Sequence, residues 1–218
     1  MVKLYHSVYS IKFNFLFPKF VENQSMYEAI DRFVAKYIQL TEEELSFFHG
    51  LLRHKKVKKK TFLLQEGETC NFEAFVLKGC IRSYYIDKDG IETILLFAVE
   101  DWWVSDLTSF SEQKPSNLFI ETIEDCELLS IDYKSKSRLF EKIPAFEHMF
   151  RILVQRALGV LQQRFYASVS QTAEERYIQF MEKYPLVAQR VPQHQIARYI
   201  GVSPEFLSKV RSTMYKKH

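Results

Sequence analysis

Near the C-terminal end of the chain, a set of polar residues sits at spacings that suit hydrogen bonding to duplex DNA. Ser203, Glu205, Ser208, Lys209, Arg211 and Ser212 fall within one short segment, and Gln193 precedes them. On a helix, Glu205 and Lys209 are one turn apart and share a face. A carboxylate in the first turn of a helix entering the major groove is badly placed beside phosphates. It can instead accept a hydrogen bond from the N4 amine of cytosine, while Lys209 reaches a guanine O6/N7 edge or a phosphate. Ser203, Gln193 and Arg211 are better placed to hold the sugar–phosphate backbone than to read sequence.

Such a set needs a rigid scaffold, and the residues from Val191 to Met214 supply the signals of two short helices joined by a tight turn. Ile196 and Ile200 form the apolar face of the first helix, and Ala197 is small where the second must approach. Gly201 suits the left-handed residue that ends a helix. Val202 plugs the corner, Ser203 is a good N-cap, and Pro204 occupies the first helical position, where its missing N–H costs nothing. Leu207, Val210 and Met214 turn inward, leaving Glu205, Ser208, Lys209 and Ser212 outward. This is the pattern of a helix-turn-helix whose second helix lies in the major groove.

An ordinary corner between two helices would use the same Ala and Gly offsets, and charge separates the two. From Arg190 to His218 there are six Lys or Arg against the single acid Glu205, while the whole chain carries a formal net charge of +3. The preceding part is therefore slightly negative, and a polyanionic partner accounts for the asymmetry.

The chain has 218 residues, 47% of them hydrophobic, enough for one large or two small domains with true cores. No apolar run approaches the roughly 18 residues of a membrane span, so no membrane partner is expected. Cys70, Cys80 and Cys126 lie far apart and form no C-x-x-C pair, as expected of reduced core fillers in a cytoplasmic protein. The six histidines show no ligand spacing, so no metal site is expected. There is no G-x-S-x-G, P-loop, H-E-x-x-H or dinucleotide fingerprint, and an enzyme is not expected.

Residues 1–25 are basic and aromatic, with Phe13, Phe15, Phe17 and Phe20 among Lys and Asn. They lack a clean apolar signal core and cleavage site. The expectation is an extension outside the folded unit, with Met26 as a working start. From Met26 to Ile38 the spacing of Ile30, Phe33, Val34 and Tyr37 predicts a helix. Thr41 and Glu44 then make a capping box for a second helix burying Leu45, Phe48, Leu51 and Leu52. The basic run from Arg53 to Lys60 fits the solvent side of an edge strand, where Lys guards against unwanted pairing. Short strands are expected over Phe62–Leu64, Phe72–Leu77, Ile81–Ile86, Ile91–Val99, Phe119–Ile123 and Glu127–Ile131, with a hairpin turn at Asp87–Gly90. A long helix follows over 144–168. Phe150, Leu153, Ala157, Val160 and Arg164 fall at alternating three- and four-residue steps, a seam suited to pairing with a second copy. Leu158, Leu161 and Phe165 beside it suggest that both surfaces are used. A further helix over Thr172–Lys183 leads into the terminal motif.

This order of elements resembles the Crp/Fnr family of bacterial transcription regulators, from about Met26 onward. The resemblance is carried by Val76-Leu-Lys-Gly79 with Arg82, Asp89-Gly90 with Glu92, Thr172-Ala-Glu-Glu-Arg-Tyr177, and Ile200-Gly-Val-Ser-Pro-Glu-Phe-Leu-Ser208. It implies an α+β chain with an antiparallel β-roll, a double-stranded β-helix of cyclic-nucleotide-binding type, over 26–143. It also implies a dimerisation helix over 144–168 and a winged helix-turn-helix over 169–218. Any wing must come mainly from strands ahead of the recognition helix.

Relatives that bind cAMP clamp the phosphate with an Arg and a following Ser or Thr, and hold the ribose with a Glu from a Gly-Glu turn. Here Trp103-Val-Ser105-Asp106 stands where that turn belongs, and Lys114-Pro-Ser116-Asn117 where the Arg belongs. Trp103, Asp106, Lys114, Ser116 and Asn117 are thus the candidate effector pocket, but no guanidinium replaces the clamp. Binding of cAMP is not expected. The N-terminal cysteine cluster of oxygen-sensing relatives is missing too. No cofactor is expected beyond an unidentified small-molecule effector. The leading expectation is a homodimeric, sequence-specific regulator of transcription, with double-stranded DNA and a second copy of itself as partners and RNA polymerase as a further candidate. The alternative is a small-molecule-sensing module acting through protein–protein contacts.

Overall fold

Alternation of apolar and polar residues between Arg53 and Ile131 builds eight strands in two facing antiparallel sheets. The structure, a computed structural model, describes residues 26–216, with side chains as far as Thr213. Residues 1–25, expected to be an extension, lie outside the described residues. One sheet has the order β1 (Arg53–Val57), β8 (Cys126–Ile131), β3 (Glu73–Lys78), β6 (Trp103–Val104). The other has the order β2 (Phe62–Leu64), β7 (Phe119–Thr122), β4 (Ile81–Ile86), β5 (Glu92–Ala98). Their inner faces meet through Leu64, Val76, Ile81, Ala98, Ile120 and Leu128.

Turn chemistry fixes the register. Asp87 accepts from the N–H groups of Asp89 and Ile91, both at 2.9 Å, and Gly90 takes φ +76°, closing the β4–β5 hairpin. At Gly79 (φ +105°) an added Cβ would stand 2.5 Å from Cys126 Sγ, so the chain can cross there only as glycine. The basic run does form an edge strand, with Lys56 and Lys58 paired to Glu127 and Asp125 across or beside it.

Helices cover one end of the roll. α1 (Glu28–Val34) is shorter than its periodic pattern, because residues after Val34 continue as turns. α2 (Glu42–Leu51) carries the expected capping box, Glu44 N–H donating to Thr41 Oγ1 and Thr41 N–H to Glu44 Oε2. Ile30, Phe33 and Phe48 pack with Phe75 and Leu129 of the roll and with Phe146 farther along the chain. Two helices in this part of the chain were not expected from the sequence. α3 (Leu107–Glu112) starts on Asp106, and α4 (Tyr133–Lys142) on Asp132, whose side chain accepts from Ser135 N–H at 2.8 Å. Each is short and shows its cap more clearly than its period.

The long helix, α5, runs from Ala145 to Ser170. Its expected seam needs correcting. Phe150 is buried against Trp103 and Phe140 of its own chain, and Leu153 packs on the same cluster. Arg164 turns inward as well, bonding to the carbonyls of Ile94, Leu95 and Tyr199. Val160 is half-buried, and of the five residues only Ala157 is fully on the outside. The outward apolar stripe is instead Val154, Leu158, Leu161 and Phe165, continued by Val169. Phe165 is 67% and Val169 76% exposed. The stripe has the same heptad spacing turned about one residue around the helix. Roll packing claimed the face that sequence spacing alone had assigned to a partner.

Beyond α5 come α6 (Ala173–Lys183), α7 (Pro185–Arg190), α8 (Gln193–Ile200) and α9 (Pro204–Lys216). Thr172 and Glu175 form a second capping box at the start of α6. Among the described residues no strand follows β8, so wing strands ahead of the recognition helix are absent there. Their expected place holds α7, which Pro185 can start because its missing N–H costs nothing at the first turn.

Candidate nucleic-acid interface

Helices α8 and α9 form the expected helix-turn-helix. Ile196 and Ala197 are fully buried, and Ile200 and Leu207 nearly so. Gly201 takes φ +78°, and Val202 N–H reaches back to the Ala197 carbonyl at 3.0 Å, a left-handed helix stop. Ser203 Oγ accepts from Phe206 N–H at 3.1 Å and so pins the first turn of α9. Val210 is half-buried, while the Met214 side chain lies outside the described residues.

The outward face of α9 carries Glu205, Phe206, Ser208, Lys209, Ser212 and Thr213, all exposed. The Ser212 and Thr213 hydroxyls donate back to the carbonyls of Ser208 and Lys209, one turn earlier. Backbone N–H groups and the Ser203 hydroxyl hold the Glu205 carboxyl below the usual carboxylate range, so it is an ionised acceptor at neutral pH. Sequence reasoning placed these polar groups correctly but passed over Phe206. Gln193 is half-buried and its Oε1 accepts from Tyr177 Oη at 3.4 Å. Arg211 is half-buried with its Nε enclosed and unpartnered, so it is less open than a phosphate contact was expected to be.

Three arginines fix this motif against the rest of the molecule, a role that the sequence suggests for none of them. Arg190 donates to Glu100 (2.6 Å) and Glu124 (2.7 Å) at the rim of the roll, while Gly79 N–H donates to Glu100 at 2.7 Å. Arg190 therefore does not belong to the basic surface with which it was counted. Arg164 stacks on Tyr199 at 3.8 Å besides bonding to its carbonyl, and Arg176 donates to the Ile200 carbonyl at 3.0 Å. Both cap the C-terminal carbonyls of α8, where positive charge is favoured. Phe97 of β5 stacks on Tyr199, so roll and motif share one apolar cluster.

The five residues expected to line an effector pocket do not line one together. Trp103 lies between Phe75 and Phe150. Asp106 is buried as the N-cap of α3, accepting from Thr108 and Ser109 N–H, and its second oxygen takes the buried Ser116 hydroxyl at 2.6 Å. Lys114 points out and pairs with Glu112 at 2.8 Å, and Asn117 is exposed. Only Asp106 and Ser116 meet, and they satisfy each other. The thiols of Cys80 and Cys126 are pushed up to about 12 and about 11 by burial, so both stay protonated.

Residues 54–142, from β1 to the end of α4, match the family described as Cyclic nucleotide-binding domain. The cAMP-activated global transcriptional regulator CRP of Escherichia coli is 24% identical over 124 residues, which cover 57% of this chain and 59% of CRP. The transcriptional activator protein anr of Pseudomonas aeruginosa is 24% identical over 189 residues, 79% of this chain and 75% of its own length. Among solved structures, the c-di-GMP responsive global regulator CLP of Xanthomonas campestris aligns with a TM-score of 0.70 at 16% identity, over 81% of this chain and 93% of CLP. FixK2 from Bradyrhizobium japonicum aligns with a TM-score of 0.67 at 17% identity, over 76% of this chain and 85% of FixK2.

Residues 54–142 match the cyclic nucleotide-binding domain family, and the chain is similar to regulators of the Crp/Fnr kind.

It spans little more than half the length of the CRP relatives it matches. Roll, long helix and helix-turn-helix follow one another from β1 to α9. Among the described residues, no helix is long and apolar enough to cross a membrane.

Proposed function

We propose that this protein is a homodimeric, sequence-specific DNA-binding regulator of transcription of the Crp/Fnr kind, and not an enzyme. Residues 26–143 serve as the effector domain, the helix expected over 144–168 as the dimer element, and 169–218 as the DNA-binding domain. The observation that carries the proposal is α9 itself. A helix pinned by Ser203 and seated on α8 through Leu207 leaves Glu205, Ser208, Lys209 and Ser212 exposed on one polar side. The relatives named above as transcription regulators support the same conclusion.

Homodimerisation is supported by the stripe of Val154, Leu158, Leu161 and Phe165, too long and apolar to be left in water. A two-fold pair of such helices presents two copies of α9 and asks for a dyad-symmetric site. The roll acts without cAMP, because the candidate pocket offers no guanidinium and Asp106 is already occupied. Selection of binding sites from random duplex DNA with the purified protein tests the proposal. Two inverted half-sites about 34–36 Å apart, or a multiple of that, are expected. Enrichment of no sequence would overturn it and favour a module acting through protein contacts.

A further inference from the structure

We propose that Phe206 reads the methyl group of a thymine in each half-site. The proposal rests on α9 being the recognition helix, and names a base contact that its polar residues do not supply. Phe206 is 50% exposed, although its neighbour Leu207 is buried. Its N–H is tied to Ser203 Oγ, so its Cα is fixed in the first turn of the helix. At about 100° per residue, Phe206, Lys209 and Thr213 fall along one line, with Glu205 beside it. The outward face thus carries one large apolar group among carboxylate, ammonium and hydroxyls.

A single exposed apolar side chain is ordinary on a protein surface. The place of this one gives it meaning. It stands beside Glu205 in the turn that leads such a helix into the groove. Phosphates and sugars offer charge and hydroxyls, and guanine, cytosine and adenine edges present polar atoms that a phenyl ring would cover without a partner. The apolar group on the floor of the major groove is the C5 methyl of thymine. Contact between methyl and ring removes apolar surface of both from water. Docking Glu205 and Lys209 on base edges carries Phe206 into the same groove, so the thymine lies at or next to the base pair that Glu205 contacts.

The test uses the full-length protein and the duplex enriched by site selection. Each thymine of a half-site is replaced in turn by deoxyuridine, which keeps the hydrogen-bonding edge and removes only the methyl. One position is expected to lose roughly three- to fivefold in affinity, the effect of one buried methyl. Phe206→Ala should bind the thymine and uracil duplexes equally, at the wild-type level for uracil. Phe206→Leu, still apolar, should keep most of the preference. Unchanged melting temperatures show that both variants fold. The proposal is overturned if no position responds to loss of the methyl, or if the response persists undiminished in Phe206→Ala. If no duplex is enriched at all, the recognition-helix reading has failed and takes this proposal with it.

Discussion

Glu205 is exposed and ionised, and an anion facing DNA is useful only where it finds a donor. Glu205→Ala is therefore expected to relax preference at one base pair per half-site by roughly tenfold, with non-specific binding unchanged or slightly raised. Sequencing of sites selected by the variant checks it, and an unchanged consensus would exclude base reading through this residue. Arg190 makes a different kind of residue-scale statement. Burial of Glu100 works against its charge, but the Arg190 guanidinium and the Gly79 N–H outweigh it and hold the carboxyl below its ordinary 4.5. A carboxyl lowered in the fold contributes stability that is present above its unfolded value and lost as pH falls through the folded one. The Glu100 arm of the clamp is thus intact at neutral pH and weakens only as pH falls below the ordinary carboxylate range. Protection of the α7 amides, taken relative to their intrinsic exchange rates at each pH, should fall there in the wild type, and already be low at neutral pH in Arg190→Ala. If both proteins exchange alike at neutral pH, the clamp does not hold α7. Gly201, Ser203 and Pro204 were legible because each obeys a local backbone rule. Arg164 and Arg190 were not, because their partners are carbonyls and carboxylates 35 to 90 residues away.

At the scale of elements, α5 shows that heptad spacing does not by itself fix which side of a helix meets its own chain. Heptad spacing is visible in the sequence, but which side faces the chain's own roll depends on Trp103, Phe140 and Lys136, from separate elements. Leu158→Glu with Leu161→Glu places like charges across the proposed two-fold contact. Sedimentation should then show monomers and DNA affinity should collapse, whereas Ala157→Glu alone should act more weakly. A double variant that stays dimeric would place the contact elsewhere. Where α4 meets β3, Lys136 Nζ lies 2.6 Å from the buried Glu73 carboxylate and 4.0 Å above the Phe150 ring. Lys136→Met would strand that carboxylate, at a cost of about 3–5 kcal/mol. The melting temperature should fall sharply, and adding Glu73→Gln should recover part of the loss. Equal melting temperatures for wild type and single variant would mean that the carboxylate finds water instead. The capping box at Thr41 was readable because it is complete within four residues, and the one at Thr172, found in the structure, is equally local. α3, α4 and α7 were not readable: α3 and α7 have six residues each, too few to show a period, and α4 is marked chiefly by its Asp132 cap.

For the whole molecule, the proposed effector role and the packing against the helix-turn-helix meet in the roll. Isothermal calorimetry with cAMP and cGMP should show no binding at physiological concentrations, because Lys114 is paired at the surface and Asp106 caps α3. Micromolar affinity would mean that the site rearranges around the ligand. The sequence alone suggests two separate units. Their joint was not legible: Tyr84, Phe97 and Val99 of the roll lie in one cluster with Phe180, Val187, Ile196 and Tyr199. This shared interior limits how the protein can be recombined. A foreign reading head grafted after α5 would need its own aromatic surface to cover Phe97, and a roll truncated at 170 would present bare rings to water. In evolutionary terms, the roll and the helix-turn-helix are not independently exchangeable parts, and if α9 reads DNA as proposed, a new specificity is more readily reached by changing its outward side chains than by swapping the domain.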